Sequence, residues 1–450
     1  MLKIYNTLSK STEEFKPINP PDVGIYSCGP TVYDYQHIGH MRRYVGDDIL
    51  IRVLKFNKFN VHHVMNITDV GHLVSDADSG EDKMEKGAKK LGLSVFNIAK
   101  KFEAQFKDSC LLLNITLPKD LMHATDYIKE QIELVQKLQE KGFTYKTTDG
   151  IYFDTSKFPD YFKLSRQNPL ELKAGTRVDI KEKKNVSDFA LWKFSSIDEK
   201  RQMEWESPFG VGFPGWHIEC SAMSMKALGE TFDIHTGGID HIDIHHTNEI
   251  AQSQAATGKT FVNYWVHHNF LVVEGQKMSK SLENFYTVED VVAKGFDPMA
   301  LRYLYLQTHY RQEMNFTWDA LEAAQTALNK LRRHYLQSSS SNDSNLSAEF
   351  IDAINDDLNM SKAMSFVWEN INDLSKSSLD KIDDILGLNL SLFQETKVFV
   401  PAEIQELTNK REKLRKSGNY KEADKVRQEI EEKGFMLNDT SSETVVVKKN

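Results

Sequence analysis

Cysteine is scarce in this chain, with three in 450 residues: Cys28, Cys110 and Cys220. That is too few for a disulfide framework, and an odd count in a reducing compartment points to packing, catalysis or a metal. Long apolar runs are missing too. Nothing approaches the roughly 18 apolar residues of a membrane span, and the opening stretch MLKIYNTLSKSTEEF has no apolar signal core. The expectation is a cytoplasmic protein with no membrane association. Nor is there an excess of positive charge: 56 Lys and Arg against 65 Asp and Glu give a net charge of −9. That argues against nonspecific coating of nucleic acid and leaves room for a local basic patch. What is present, 40% hydrophobic and 27% charged residues, suits a chain of two to four domains with a sizeable core.

The pattern along the chain is α/β. VGIYSC (23–28) is a short apolar run ending at a Gly-Pro turn, and the segment from Gly39 then repeats apolar residues at helical spacing. FNVHHVMNIT (59–68) predicts a second strand, so the opening reads as β-α-β with its loops at the ligand-binding edge. Residues 119–142 predict an amphipathic helix, followed by an irregular, β-rich insertion. The sheet pattern resumes with TFDIHTGGID (231–240), a helix from HTNEIAQSQAATG closed by Gly258, and the strand-like run YWVHHNFLVVEG. The simplest account is a nucleotide-binding sheet split by an insertion. From Pro298 onward the chain reads as helical, with Leu321, Ala324, Leu328, Leu331 and Tyr335 on one helix face and a polar loop, SSSSNDSN, at 338–345. A last pair of helices is hinged at Ser417-Gly418.

Three constellations carry chemistry. The first is HIGH, residues 37–40, at a helix start. An H-x-x-H here also serves as a cap or a surface pair, but Gly39 would let a phosphate approach the helix N-terminus, where free N–H groups favour anions. His37 and His40 would then donate hydrogen bonds to it. The second is GQKMSKSLENF (275–285), with Lys277 and Lys280 three apart in a loop. As more than a solvated turn, it would offset charge building on a departing pyrophosphate, with Lys280 leading. The third is a scattered donor set: Cys28, Cys220 in PGWHIECSAMS, and His245 with Glu249 in HHTNE. The last two lie four apart and share a helix face. Alone they read as a polar pair, whereas two cysteines without a disulfide make a zinc site attractive. Cys110, in DSCLLLN, reads as core.

Taken together, HIGH after a Cys-Gly-Pro turn, KMSKS after the last strand, and PGWHIECSAMS before HHTNEIAQS resemble the cysteinyl-tRNA synthetase family of class I aminoacyl-tRNA synthetases, from the first strand to about Asp439. The resemblance implies a Rossmann-type catalytic domain with a connective insertion, an α-helical bundle and a small anticodon-binding domain. The divisions implied are 1–118 and 206–282 for the two catalytic halves, 119–205 for the insertion, 283–320 for a stem, 321–397 for the bundle and 398–450 for the last domain. It further implies formation of cysteinyl-adenylate from L-cysteine and ATP with Mg2+, then transfer of cysteine to tRNA(Cys) by a monomer holding one Zn2+ per chain. The residues it assigns are His37, His40, Lys277 and Lys280 for catalysis; His37, Gly39, His40 and Lys280 for ATP; and Cys28, Cys220, His245 and Glu249 for the metal. Gly29, Thr68, Trp216 and Asp240 fall to the cysteine pocket.

Residues 408–427 hold eight Lys/Arg against three Asp/Glu, a basic hairpin that the resemblance gives to the anticodon, with Arg427 and Asp439 as contacts. The tail TSSETVVVKKN departs from the family's Gly-Thr-x-Trp-Arg-like ending, which bears on those contacts and not on the enzyme class. Two other readings stay open. One is a ligase joining cysteine to an amino-sugar, against which the long helical region and the basic hairpin speak. The other is a catalytically silent RNA-binding paralogue, against which the intact HIGH and KMSKS residues speak.

Overall fold

The computed structural model describes residues 1–71, 84–85, 87–88, 92–119, 121–168, 182–196, 201–339, 346–393, 401–439 and 444–448. The chain opens with a hairpin, β1 (Lys3–Asn6) and β2 (Ser11–Glu14), then runs through β3 (Asp22–Ser27), α1 (Ile38–Phe56), β4 (Asn60–Ile67), α2 (Val95–Leu112), β5 (Leu121–His123) and α3 (Ile128–Glu140). An antiparallel insertion follows: β6 (Thr144–Lys146), β7 (Gly150–Phe153), β8 (Phe189–Phe194) and β9 (Gly212–Pro214). Then come α4 (Trp216–Leu228), β10 (Phe232–Gly238), α5 (His245–Thr257) and β11 (Val262–His268).

The central sheet has the order β11-β10-β3-β4-β5, and every pair in it is parallel. Parallel strands need crossovers that cover both faces, so the apolar cores of β3, β4 and β10 are buried on both sides. The order reverses between β3 and β10: the first half of the chain builds outward through β4, the second through β11. Loops leaving the carboxyl ends of these two strands diverge and open a crevice. The Cys28-Gly29-Pro30 turn leaves β3 there, and the Gly237-Gly238 turn closes β10.

Two expectations are adjusted. The helix expected over 119–142 begins at Ile128, because Leu121–His123 extends the sheet instead, pairing Met65 with Leu121. The apolar run after Val262 is two strands, β11 and β12 (Leu271–Val273), broken at Asn269-Phe270. The backbone carbonyls at that break accept hydrogen bonds from the buried Arg42 guanidinium of α1, at 3.0 and 2.8 Å, and the same side chain reaches the carbonyls of His309 and Gln312.

Beyond β13 (Gln276–Lys277) lie α6 (Val288–Ala293), α7 (Pro298–Leu306), β14 (Met314–Phe316), which pairs parallel with β12, and the amphipathic α8 (Trp318–Gln337). The helices α9 (Ala348–Asn355), α10 (Met360–Glu369) and α11 (Lys376–Leu386) complete the first of two compact units, Met1–Leu390. Within it Arg302 of α7 is fully buried, paired with Asp48 of α1 at 2.6 Å and bonded to the carbonyls of Leu113 and Leu386. The parallel sheet's first crossover helix and the helical segment are therefore joined by a satisfied buried charge, the condition under which such a charge is tolerable.

The second unit, Ser391–Asn450, pairs the helices α12 (Ala402–Lys416) and α13 (Tyr420–Glu432) with the hairpin β15 (Phe435–Asp439) and β16 (Thr444–Lys448) around Ile404, Val426, Ile430 and Leu437. The expected boundary at 397/398 falls outside the described residues.

Candidate active site

The crevice at the carboxyl ends of β3 and β10 is a cleft of about 490 Å3. Gly29, His37, Gly39, His40, Trp216, Asp240 and Lys277, all marked from the sequence, line it together with Asp34 and Arg43. One wall is the start of α1. His37 caps that helix: its Nδ1 accepts the His40 backbone N–H at 3.2 Å, which leaves Nε2 to carry the ring proton. The two imidazoles stack at 3.5 Å between centroids. Burial lowers the pKa of His37 to about 4, so at neutral pH it is an uncharged N–H donor. A side chain at Gly39 would stand 3.0 Å from that ring, so glycine keeps this helix end open to an anion.

Gly29 is required more strictly. A Cβ there would sit 1.5 Å from the backbone oxygen of Asn66. Its N–H donates to Asn66 Oδ1 at 2.7 Å, while Asn66 Nδ2 donates to Thr68 Oγ1 at 2.9 Å and Thr68 Oγ1 to Glu219 Oε2 at 3.1 Å. Thr68 does not line the cleft. It is buried one layer behind Gly29, where its hydroxyl is engaged on both sides, so it acts on the cleft only through this chain of bonds.

The donor set converges beneath the cleft. One ligand atom each from Cys28, Cys220, His245 and Glu249 all lie within 4.8 Å of one another, and all four residues are buried. The fold explains the meeting: Cys28 follows β3, while Cys220 and the His245/Glu249 pair come from α4 and α5, which flank β10. Glu249 Oε1 is 3.1 Å from His245 Nε2. Burial acts against both charges. The neighbouring His235 and His245 nonetheless hold Glu249 at about 2, and Glu249 with Cys220 raises His245 to about 10. The thiols behave oppositely: burial raises the pKa of Cys28, and the hydrogen bond to Cys28, with burial, raises that of Cys220. Two thiols, an imidazole and a carboxylate, dry and convergent, are a donor set that fits a metal ion of zinc's borderline softness.

Around this set lies a shell of histidines that sequence reading did not assign. His235 Nε2 lies 3.0 Å from Glu249 Oε2, His217 Nδ1 lies 2.9 Å from His245 Nδ1, and His246 reaches Cys28 Sγ at 3.3 Å and His267 at 2.7 Å. Burial, compounded by neighbouring rings, keeps His246 and His267 neutral. Cys28, His235, His246 and Glu249 form a second convergent group sharing two members with the first. The available signal was density: residues 235–268 hold six of the chain's 15 histidines.

The KMSKS segment borders the same cleft. Lys277 ends β13, pairing with Val272 of β12, and Lys280 opens a single 3-10 turn. Asn284 braces the loop, accepting from Ser279 N at 2.8 Å and donating to Lys277 O at 3.2 Å. In the second unit Arg427 is paired on its own helix with Glu431 at 3.0 Å. Asp439 ends β15, and its side chain lies outside the described residues.

The fold that opens this crevice, with a histidine-capped helix on one wall and a lysine loop on the other, is that of the class I aminoacyl-tRNA synthetases. Two solved structures share the fold: methionyl-tRNA synthetase of Mycobacterium tuberculosis bound by methionyl-adenylate (TM-score 0.57, 14% identity, 82% of this chain and 89% of that one), and the Agrobacterium radiobacter LeuRS–tRNA–LeuAMS ternary complex (0.54, 13%, 83% and 84%). Residues 14–326 match the family described as tRNA synthetases class I (C) catalytic domain. Over nearly full length the chain is 46% identical to cysteine–tRNA ligase 1 of Burkholderia lata (98% of this chain, 95% of that protein) and 43% identical to the cysteine–tRNA ligase of Treponema denticola (98% and 99%). The chain belongs to the cysteine–tRNA ligase family.

Proposed function

We propose that the chain activates L-cysteine with ATP and then charges tRNA(Cys). A cysteine carboxylate oxygen attacks the α-phosphorus, the bond to the β-phosphate oxygen breaks, and pyrophosphate leaves with that electron pair. The tRNA's terminal ribose hydroxyl then attacks the cysteinyl carbonyl and AMP departs. No covalent enzyme intermediate is needed, so catalysis is by positioning and electrostatics. His37 and His40 would donate neutral N–H groups to phosphate oxygens at the α1 N-terminus, and Lys277 and Lys280 would offset charge on the departing pyrophosphate. Asp240 offers a carboxylate to the substrate ammonium, Trp216 an apolar wall, and Gly29 a close backbone edge supported through Asn66 and Thr68.

Cys28, Cys220, His245 and Glu249 would hold one Zn2+, with His235, His217 and His246 fixing their orientation. Bound there, zinc would supply a centre that favours the thiolate of cysteine over the hydroxyl of serine. Mg2+ would accompany ATP. Arg427 and Asp439 would serve the anticodon, the six segments 1–118 to 398–450 would divide the labour as the resemblance implies, and the protein would work as a cytoplasmic monomer. Among the described residues no helix is long and apolar enough to cross a membrane.

The observation that carries this reading is the meeting of the two-thiol donor set with the HIGH and KMSKS residues at one sheet edge. A cysteine-dependent ATP–pyrophosphate exchange assay followed by tRNA charging tests it. Exchange without charging of tRNA(Cys) would favour the amino-sugar ligase, and neither activity a silent paralogue.

A further inference from the structure

Lys280, though exposed, is paired at the cleft rim. Its Nζ lies 2.7 Å from Asp34 Oδ1 and 2.5 Å from Oδ2, so both carboxylate oxygens share one ammonium. Asp34 sits in the turn between β3 and α1, three residues before His37, and lines the cleft with it. An ion pair between a lysine 59% exposed and an aspartate 32% exposed is ordinarily incidental. Here it is one of several contacts pressing the lysine loop onto the same turn. Phe285 meets the His37 ring edge-on at 5.2 Å, Lys280 lies 5.1 Å from the Phe285 ring centroid, and Ile38 N donates to the Tyr286 carbonyl at 2.9 Å. The Met278 side chain approaches Gly39 from the loop side. The loop is thus held across the cleft rim with its leading cation neutralised by a carboxylate that presents two oxygens, as a phosphate does.

We propose that Asp34 is a positioning residue that stands in for phosphate on Lys280. It keeps the ammonium at the rim before ATP arrives, yields it to the triphosphate on binding, and takes it back as pyrophosphate leaves. This rests on the reading of Lys280 given above. The chemistry requires an exchange of this kind: the triphosphate and Asp34 are anions competing for one cation, and a weak, half-exposed pair is one that a polyphosphate displaces. Asp34 therefore opposes ground-state binding of ATP while favouring release of pyrophosphate.

The test is steady-state exchange kinetics on Asp34→Asn, with Asp34→Glu, Lys280→Ala and the double variant alongside, and thermal stability and metal content measured for each. Asp34→Asn keeps shape and removes charge, so the KM for ATP should fall roughly two- to fivefold, with pyrophosphate inhibition strengthened by a similar factor and the KM for cysteine unmoved. Asp34→Glu should restore the native values. In the Lys280→Ala background the Asp34→Asn effect on ATP should vanish, because the cation being contested is gone. A stable Asp34→Asn enzyme whose KM for ATP is unchanged or raised would overturn the proposal, as would an effect equally large without Lys280. The two readings fail separately: unchanged exchange in Lys280→Ala removes the phosphate clamp itself, whereas impaired exchange there with an unmoved Asp34→Asn discards only the stand-in.

Discussion

Glu249 faces His245 across one turn of α5 at 3.1 Å, an ionised carboxylate against a protonated imidazole sealed from solvent. In the absence of a cation this pair is self-neutralising, and the two thiols beside it remain protonated. Three of these four groups must shed protons to act as ligands. Cys28, Cys220 and His245, all with raised pKa values, should release up to three protons when a divalent metal enters. Titrating ion-free protein with zinc in weak buffer should show net acidification, and apparent affinity should drop as pH falls. Uptake without proton release would mean that the metal sits elsewhere.

Serine should be rejected at binding. A pocket reading shape alone discriminates poorly against so close an isostere, whereas a thiolate-preferring ion does not share that limit. Cys220→Ser, or depletion of the metal, should weaken cysteine binding sharply and leave ATP binding little changed, as measured by equilibrium binding of cysteine, serine and ATP with metal content followed in parallel. Folded, depleted protein that kept the original cysteine-to-serine ratio would mark the metal as purely structural.

Lys280→Ala should lower kcat for adenylate formation by about 10² or more with little change in cysteine Kd, the signature of a charge needed as pyrophosphate departs. Pre-steady-state exchange with cysteine binding measured separately gives both numbers.

Acid should destabilise the fold ahead of carboxylate titration. Burial holds His37 and His63 at about 4, below the ordinary value of 6.5, so between these values the unfolded chain binds more protons than the folded one. Stability is complete above about 6.5 and declines as pH falls toward about 4. His63→Gln, on β4 and outside the HIGH motif, should flatten the slope of denaturation midpoint against pH over that window. An unaltered slope would show that His63 titrates normally.

Removing residues 391–450, which form their own compact unit, should leave cysteine-dependent exchange intact and abolish efficient charging. Full charging by the shortened protein would detach the basic hairpin from tRNA recognition.

The parts of the site legible in the sequence are those where local geometry does the work. HIGH is recognisable because a glycine at a helix start leaves free N–H groups open to an anion, even though the pattern also reads as a cap or a surface pair, and His245 with Glu249 because four residues make one helical turn. That Cys28 and Cys220 meet is a long-range fact of strand order, reachable only through the family resemblance. The cluster of His217, His235, His246 and His267 is not legible for the same reason, since each touches a partner on another element. Strand β5 escaped notice because three residues show no period, and only its pairing with β4 makes it a strand. Asp34 carried no signal at all: its partner lies 246 residues away.

Strand β3 sits at the centre of the sheet, yet its two neighbours reach it at different moments. β4 follows it within 40 residues, whereas β10, on the other side, ends at Gly238. At ribosomal rates of about 5–20 residues per second, the β10 side of β3 waits on the order of ten to forty seconds for its partner. For that interval the nascent chain carries an exposed parallel edge in what becomes the deepest part of the protein, and Cys28 has neither Cys220 nor Glu249 beside it. The four donors cannot meet until the ribosome has reached Glu249, long after Cys28 has left it.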